Sequence, residues 1–543
     1  MSVFRRSRIA SYLRCSRKLC SSTPVAVATP PGAERLVAGK WKPVVGLEVH
    51  LQINSKSKLF SAAPASSGGG VNQHVALFDA AIPGTLPTLN RRCVEAAVQT
   101  ALALNCIEIN NLSRFDRKHY FYADMPAGFQ ITQHRQPIAR NGYLHFYQIT
   151  PSSADAPASE PVRRVCRIHQ IQLEQDSGKS IHDPIHMVSL IDLNRAGLGL
   201  LEIVFEPDIS SGEEAASLVR ELVALVKAIG VCSGRMDEGA MRVDANISVH
   251  EPGTPLGTRT EVKNINSVRS VSRAIEFEVE RQVSCLQRGE RIQNVTMSYN
   301  ADSKSTVMMR DKEVVQDYRF FPEPNIPALN LQHAGICVES LRNSLPPLPG
   351  ELRQSLMDKY KLDFVSCIVI VREDGFFDFF TEMMSYLPLD YAKRACFLLV
   401  TDVLGYMNEH SVELADTLLT PKHLADFAQM LEQRRVSFIR YIEVVKEMMR
   451  TGRHPGPIVE ENNWSLLDDV QVLEALCEEA IRLYPKHLRR YQMSPKKRHL
   501  NPMLKHVRLA SQNRADMRLV AQLLEKKIEQ PEISFYDKFE NAR

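Results

Sequence analysis

The chain has 543 residues, 44% of them apolar and 24% charged, with a formal net charge of +4 at pH 7. That length exceeds what one hydrophobic core serves, so roughly two to four domains are expected, and no apolar run approaches the ~18 residues of a membrane span, which excludes a helical membrane protein. The 11 cysteines form no C-x-x-C pair and none sits beside histidine at zinc-like spacing, the pattern of scattered thiols in a reducing compartment rather than of a disulfide scaffold.

Residues 1–33 contain Arg5, Arg6, Arg8, Arg14, Arg17 and Lys18, several serines and no acid. An Arg-rich, Ser-rich, acid-free start with no apolar h-region predicts a mitochondrial transit peptide. Leaving those six basic residues out lowers the net charge from +4 to −2, so any nucleic-acid surface must be local.

The first folded element is Val44–Gln52. Leu47, Val49 and Leu51 fall on one side of a strand, and Glu48, His50 and Gln52 on the other. A carboxylate and an imidazole at i, i+2 on one face can hold a metal or move a proton; a solvated edge strand would also fit this segment. Two further signals carry no function. Gly178-Lys179-Ser180 resembles the end of a phosphate loop, but Leu173 stands where its first glycine is needed. Ser66-Ser67-Gly68-Gly69-Gly70 reads as a loop.

A helix is predicted over 212–229, with Ser211 and Glu214 as a capping box, a Leu218/Leu222/Leu225 stripe and Gly230 as its stop. A second is predicted over 267–286. Between them, residues 241–249 alternate with Arg242, Asp244 and Asn246 on one face, and residues 258–266 place Arg259, Glu261 and Lys263 together. Charges of both signs on adjacent strands are costly unless paired or used. Carboxylates suit Mg²⁺, and lysine or arginine suits the phosphates that accompany it; a solvated face with internal ion pairs is the alternative. The mixed pattern, without a βαβ rhythm, predicts an α+β domain with a largely antiparallel sheet over about 40–330. From about 350 onward the chain reads as helical, with long segments over 421–449 and 465–483. Its most basic stretch, 486–518, holds Lys486, Arg489, Arg490, Lys496, Lys497, Arg498, Lys505 and Arg508 against the single acid Asp516, which points to a polyanion partner or to a solvated helix face.

A collinear series of motifs resembles the B subunit of the tRNA-dependent amidotransferase, the GatB family. The series is Gly46-Leu-Glu-Val-His50, Ser57-Lys58-Leu59-Phe60, Pro83-Gly84-Thr85-Leu86-Pro87, Phe115-Asp-Arg-Lys118 with Tyr120-Phe-Tyr122, and Glu174-Gln-Asp-Ser-Gly-Lys179. It continues through Asp192-Leu-Asn-Arg195, Glu202-Ile-Val-Phe-Glu-Pro-Asp208, Asp244-Ala-Asn246, Glu261-Val-Lys-Asn-Ile-Asn-Ser267 and Asp317-Tyr-Arg-Phe-Phe-Pro-Glu-Pro324. With the transit-like start, the chain looks like a mitochondrial member.

The resemblance implies a catalytic cradle over 40–330, a helical linker over 350–430 and a YqeY-like tRNA-binding tail over 431–530. It implies ATP- and Mg²⁺-dependent phosphorylation of the glutamyl γ-carboxylate of Glu-tRNA(Gln), then amidation by ammonia from an amidase-fold A subunit, with a small C subunit that ties the two together. It assigns Glu48, His50, Glu174, Asp244 and Glu261 to the catalytic pocket, Glu48, His50, Asp244 and Glu261 of these to metal. Arg259, Lys263 and Lys179 are the expected charge neutralisers. The chain departs from the family at Gln175, where a second glutamate is usual, and supports a non-catalytic tRNA-binding scaffold to that extent. It also lacks the cysteines that some members carry in 61–80, so no zinc is expected.

Overall fold

The computed structural model describes residues 40–66, 69–149, 160–311, 318–437, 439–494 and 497–529. The predicted transit segment, Asp317 and Lys496 lie outside them. The described chain separates into two compact units, one running to Leu352 and the other from Arg353.

The first unit is built on strands β1 (Lys42–Gln52), β2 (Glu108–Ile109), β3 (Leu112–His119), β4 (Phe129–Gln136), β5 (Ala139–Gln148), β6 (Val162–Gln175), β7 (Lys179–Asp183), β8 (Val188–Asp192), β9 (Gly199–Phe205), β10 (Met241–His250), β11 (Thr260–Ile265), β12 (Val295–Asn300), β13 (Ser305–Asp311), β14 (Phe321–Pro322) and β15 (Leu329–Asn330). The main path runs β13-β12-β11-β10-β1-β9-β6-β4-β3-β14. Among the described pairs only β11–β12 is parallel, in keeping with the largely antiparallel expectation. The segment that could have been an edge strand is interior: β1 pairs with β10 on one side and β9 on the other.

Three helices cover the apolar face: α1 (Arg91–Ala103), α2 (Gly212–Ala228) and α3 (Val268–Gln287). Val45, Leu47, Val49 and Leu51 of β1 share one core with Val94 and Ala101 of α1, Leu218 and Leu222 of α2, and Val271 and Ile275 of α3. The α2 cap departs from the expected reciprocal box. Ser211 Oγ accepts from Glu214 N, but the Glu214 carboxylate turns one residue further back, accepting from Ser210 N and Oγ at 2.9 Å each. Gly230, at φ +68°, ends the helix in the left-handed region that glycine enters without strain.

The second unit is helical. The predicted segment 421–449 is two helices, Pro421–Glu432 and Tyr441–Thr451, and 465–483 begins its helix only at Val470, capped by Asp469. Two buried clusters organise this unit, one from Leu356 to Val459 and one from Leu473 to Ile528. No described helix is long and apolar enough to cross a membrane.

Candidate active site

Cross-strand register places the polar residues of seven strands on the face opposite the helices. Glu48 lies opposite Asp244, His50 opposite both Arg242 and Glu202, and Asn246 opposite Glu261. Further along, Glu202 pairs with Gln172, Glu174 with Thr132, and Lys118 with Gln130. Directly opposed residues in an antiparallel ladder share a face, so local alternation propagates into one continuous polar surface.

That surface is concave. Lys118 of β3 and Lys263 of β11 have five strands between them in the sheet order, yet both line one cavity of ≈ 490 Å³ with Tyr120, Tyr122, Asn264, Thr296, Met309 and Tyr318. Sheet twist brings together side chains that a flat sheet would hold far apart.

Two charge clusters are tied to this cleft through its lysines. In the first, ligand atoms of His50, Glu174 and Glu202 all lie within 4.8 Å of one another. His50 Nε2 is 3.8 Å from Glu202 Oε1, and Lys118 Nζ is 3.9 Å from Glu174 Oε1. Thr132 Oγ1 donates to Glu174 Oε2 at 3.0 Å, and Gln172 Nε2 donates to Glu202 Oε2 at 2.5 Å. Burial pushes the Glu174 carboxyl up to about 7 against the pull of Lys118, and burial likewise raises Glu202. Burial alone would favour neutral Lys118, but the charges of Glu174 and Glu202 outweigh it and hold its pKa above the ordinary lysine value.

In the second cluster Lys263 Nζ bridges Asp244 Oδ2 at 3.3 Å and Glu261 Oε1 at 3.1 Å. The β10–β11 register shifts between Val243 and Ala245, and Asp244 Oδ1 accepts from Asn264 N at 2.8 Å beside the irregularity. Burial opposes the Lys263 charge, yet Asp244 and Glu261 raise its pKa overall. Glu48 accepts from Asn246 Nδ2 at 2.9 Å.

An imidazole and two buried carboxylates fit a divalent cation that keeps part of its water shell, since oxygen donors suit hard cations and a cation would offset the burial of both acids. His50, Glu174 and Glu202 would hold it.

A family model described as the GatB/GatE catalytic domain matches residues 43–336, and one described as the GatB domain matches 378–528. The chain belongs to the GatB/GatE family. Similar proteins include two whose name is that of the B subunit of mitochondrial glutamyl-tRNA(Gln) amidotransferase. That of Aedes aegypti is 44% identical over 495 residues, 89% of this chain and 93% of the relative. That of Homo sapiens is 45% identical over 504 residues, 90% and 89% of the two chains. A Rickettsia rickettsii (strain Sheila Smith) protein, named for the B subunit of aspartyl/glutamyl-tRNA(Asn/Gln) amidotransferase, is 40% identical over 490 residues, 90% and 98%.

Within this GatB/GatE domain the structure divides the expected pocket. His50 clusters with Glu174, whereas Asp244 and Glu261 gather around Lys263 and Glu48 lies opposite Asp244. Arg259 is exposed ahead of β11, and Lys179 is exposed on β7 opposite Asp192; neither is among the cleft walls. Gln175 falls in the strand phase of Leu173, opposite Gly199, one step out of register with Glu174. Two site residues escape sequence reasoning. Glu202 and Lys118 both stand in family motifs, but neither shares a local pattern with His50 or Glu174. Alternation gives each its face; their partners come from non-local pairing. In the second unit Lys486, Arg489, Arg490, Arg498, Lys505 and Arg508 are all exposed, on or beside the helices Pro485–Met493 and Asn501–Ala510; the Lys497 side chain lies outside the described residues.

Proposed function

We propose that this chain is the B subunit of a mitochondrial matrix amidotransferase, where it phosphorylates the γ-carboxylate of Glu-tRNA(Gln) with ATP for amidation to Gln-tRNA(Gln). The observation that carries this reading is a single cleft lined by two lysines, Lys263 paired with Asp244 and Glu261 and Lys118 with Glu174 of the acid–imidazole cluster.

A carboxylate is a poor electrophile. In the first step its oxygen attacks the γ-phosphorus, the bond to the ADP oxygen breaks, and an acyl phosphate forms. The protein's work is positioning and charge neutralisation. Lys263, fixed by Asp244 and Glu261, and Lys118, fixed by Glu174, direct ammonium groups into the cleft to bind phosphoryl oxygens. A Mg²⁺ held by His50, Glu174 and Glu202 would supply further neutralisation of the polyphosphate. In the second step ammonia nitrogen bonds to the carbonyl carbon, phosphate leaves with the electron pair, and one ammonia proton passes to phosphate or solvent. Tyr120, Tyr122, Met309 and Tyr318 narrow the cleft against competing water. An amidase-fold A subunit supplies the ammonia, a small C subunit joins the complex, and the basic helices of the second unit bind tRNA phosphates.

The scaffold alternative drew its support from Gln175, and strand phase separates that residue from the acid cluster. The deciding experiment is reconstitution with the A and C partners. His50→Ala should abolish ATP-dependent phosphate transfer to Glu-tRNA(Gln) while tRNA binding persists; undiminished transfer would return the scaffold reading. Parallel reactions with Asp-tRNA(Asn) test the substrate range.

A further inference from the structure

Beside the acid–imidazole cluster runs a relay of neutral side chains that the phosphorylation chemistry leaves unused. Thr132 of β4 stands directly opposite Glu174 of β6, and Gln172 of β6 directly opposite Glu202 of β9. Gln172 and Glu174 are two residues apart on one strand, so all four side chains share a face. All four are buried. Buried amides and hydroxyls are costly unless hydrogen-bonded, and here each side-chain donor of Thr132 and Gln172 has an acceptor.

The direction of the relay is fixed. Gln172 Oε1 accepts from Gln170 Nε2, while Gln172 Nε2 donates to Glu202 Oε2 at 2.5 Å and to Thr132 Oγ1 at 3.2 Å. A threonine hydroxyl carries one proton, and that of Thr132 goes to Glu174 Oε2 at 3.0 Å. Both carboxylates therefore have Oε2 held by a neutral donor. Their Oε1 atoms approach the other members of the site, that of Glu202 at 3.8 Å from His50 Nε2 and that of Glu174 at 3.9 Å from Lys118 Nζ. A carboxylate with one oxygen held in this way offers a cation the other alone. Mg²⁺ takes single oxygens and keeps several waters, whereas Ca²⁺ takes more oxygens and readily both of one carboxylate.

We propose that Thr132 and Gln172 are positioning residues that make the cluster selective for Mg²⁺ over Ca²⁺, by holding one oxygen of Glu174 and one of Glu202 out of bidentate contact. This inference rests on the cation site of the proposed reaction and deepens it by assigning the residues that set which cation the site accepts.

The test titrates the assembled complex with MgCl₂ or CaCl₂ alone, without nucleotide or tRNA, and reads affinity by calorimetry; the same titrations of His50→Ala isolate the heat of this site. Thr132→Val should weaken Mg²⁺ binding by about tenfold, the lower edge of what supporting groups around a metal contribute. Ca²⁺ binding should weaken less, because the released oxygen becomes available to it, so the ratio of Mg²⁺ to Ca²⁺ affinity falls. Gln172→Met, which removes both amide donors, should lower the ratio as well, and Thr132→Ser should preserve it. A merely structural loss would weaken both cations equally, so a wild-type ratio in Thr132→Val and Gln172→Met overturns the proposal. Failure of both variants to assemble with the A and C subunits also overturns it, because the relay would then serve to hold the strands. A His50→Ala complex that binds both cations as the wild type does overturns the cation site itself, whereas a His50-dependent site with an unchanged ratio overturns the role of Thr132 and Gln172 alone.

Discussion

His50 of β1 and Glu202 of β9 face each other across neighbouring strands, with Nε2 3.8 Å from Oε1. This contact joins the first motif of the catalytic domain to one far along the chain, and with Glu174 it forms a cation cluster that shares only His50 with the expected metal set. Glu202→Gln should raise the Mg²⁺ concentration needed for half-maximal phosphorylation by at least about tenfold, the lower edge of what supporting groups around a metal contribute. The thermal midpoint should hold or rise, since the change removes one of two neighbouring buried acids. Wild-type Mg²⁺ dependence would remove Glu202 from the set.

Gln175 offers the complementary experiment. Restoring the family's glutamate by Gln175→Glu should leave the Mg²⁺ requirement within about twofold, because the residue is out of phase with the cluster. Glu174→Gln should raise that requirement by about tenfold or more. A Mg²⁺ titration of both variants decides the matter; a marked gain from Gln175→Glu would mean that the side chain reaches the cluster.

Lys263 compensates two acids at once. Lys263→Met should lower stability by about 2 kcal/mol, below the ~3–5 kcal/mol of a fully buried pair because the ammonium opens to the cleft. Adding Asp244→Asn should recover part of the loss. Chemical denaturation of the two variants and the wild type measures both effects, and a double variant less stable than Lys263→Met would contradict the pairing.

Behind β11, Glu278 of α3 is 0% exposed. Its Oε1 accepts from Thr260 Oγ1 at 2.7 Å, its Oε2 accepts from Thr306 Oγ1 at 3.1 Å, and Arg281 bonds both oxygens. The carboxylate thereby ties β11 and β13 to the helix. Glu278→Ala should cost about 3 kcal/mol, the low end for a broken buried ion pair since Arg281 is partly solvated. A shift below about 1 kcal/mol in denaturant unfolding would show that the strands are held by the ladder alone.

For the second unit, replacing Arg490, Lys505 and Arg508 by alanine should weaken tRNA binding and flatten the dependence of log affinity on log salt by up to about one unit per lost phosphate contact. A salt titration with an unchanged slope would make these exposed side chains a solvated helix face.

Local pattern alone determined several features of this protein. Period-two alternation identified β1, β10 and β11 and assigned Glu48, His50, Asp244, Glu261 and Lys263 to the polar side. Ser211 and Gly230 marked the ends of α2, because caps and apolar periodicity are written within a few residues. The motif series identified the family. Tertiary structure decided which of those polar residues meet. Strand neighbours are chosen by long-range pairing and cavity walls by the accumulated twist of the sheet, neither of which leaves a local signal. Hence His50 found Glu202, Lys263 took Asp244 in addition to its strand neighbour Glu261, and Lys118 closed the cleft from across five intervening strands.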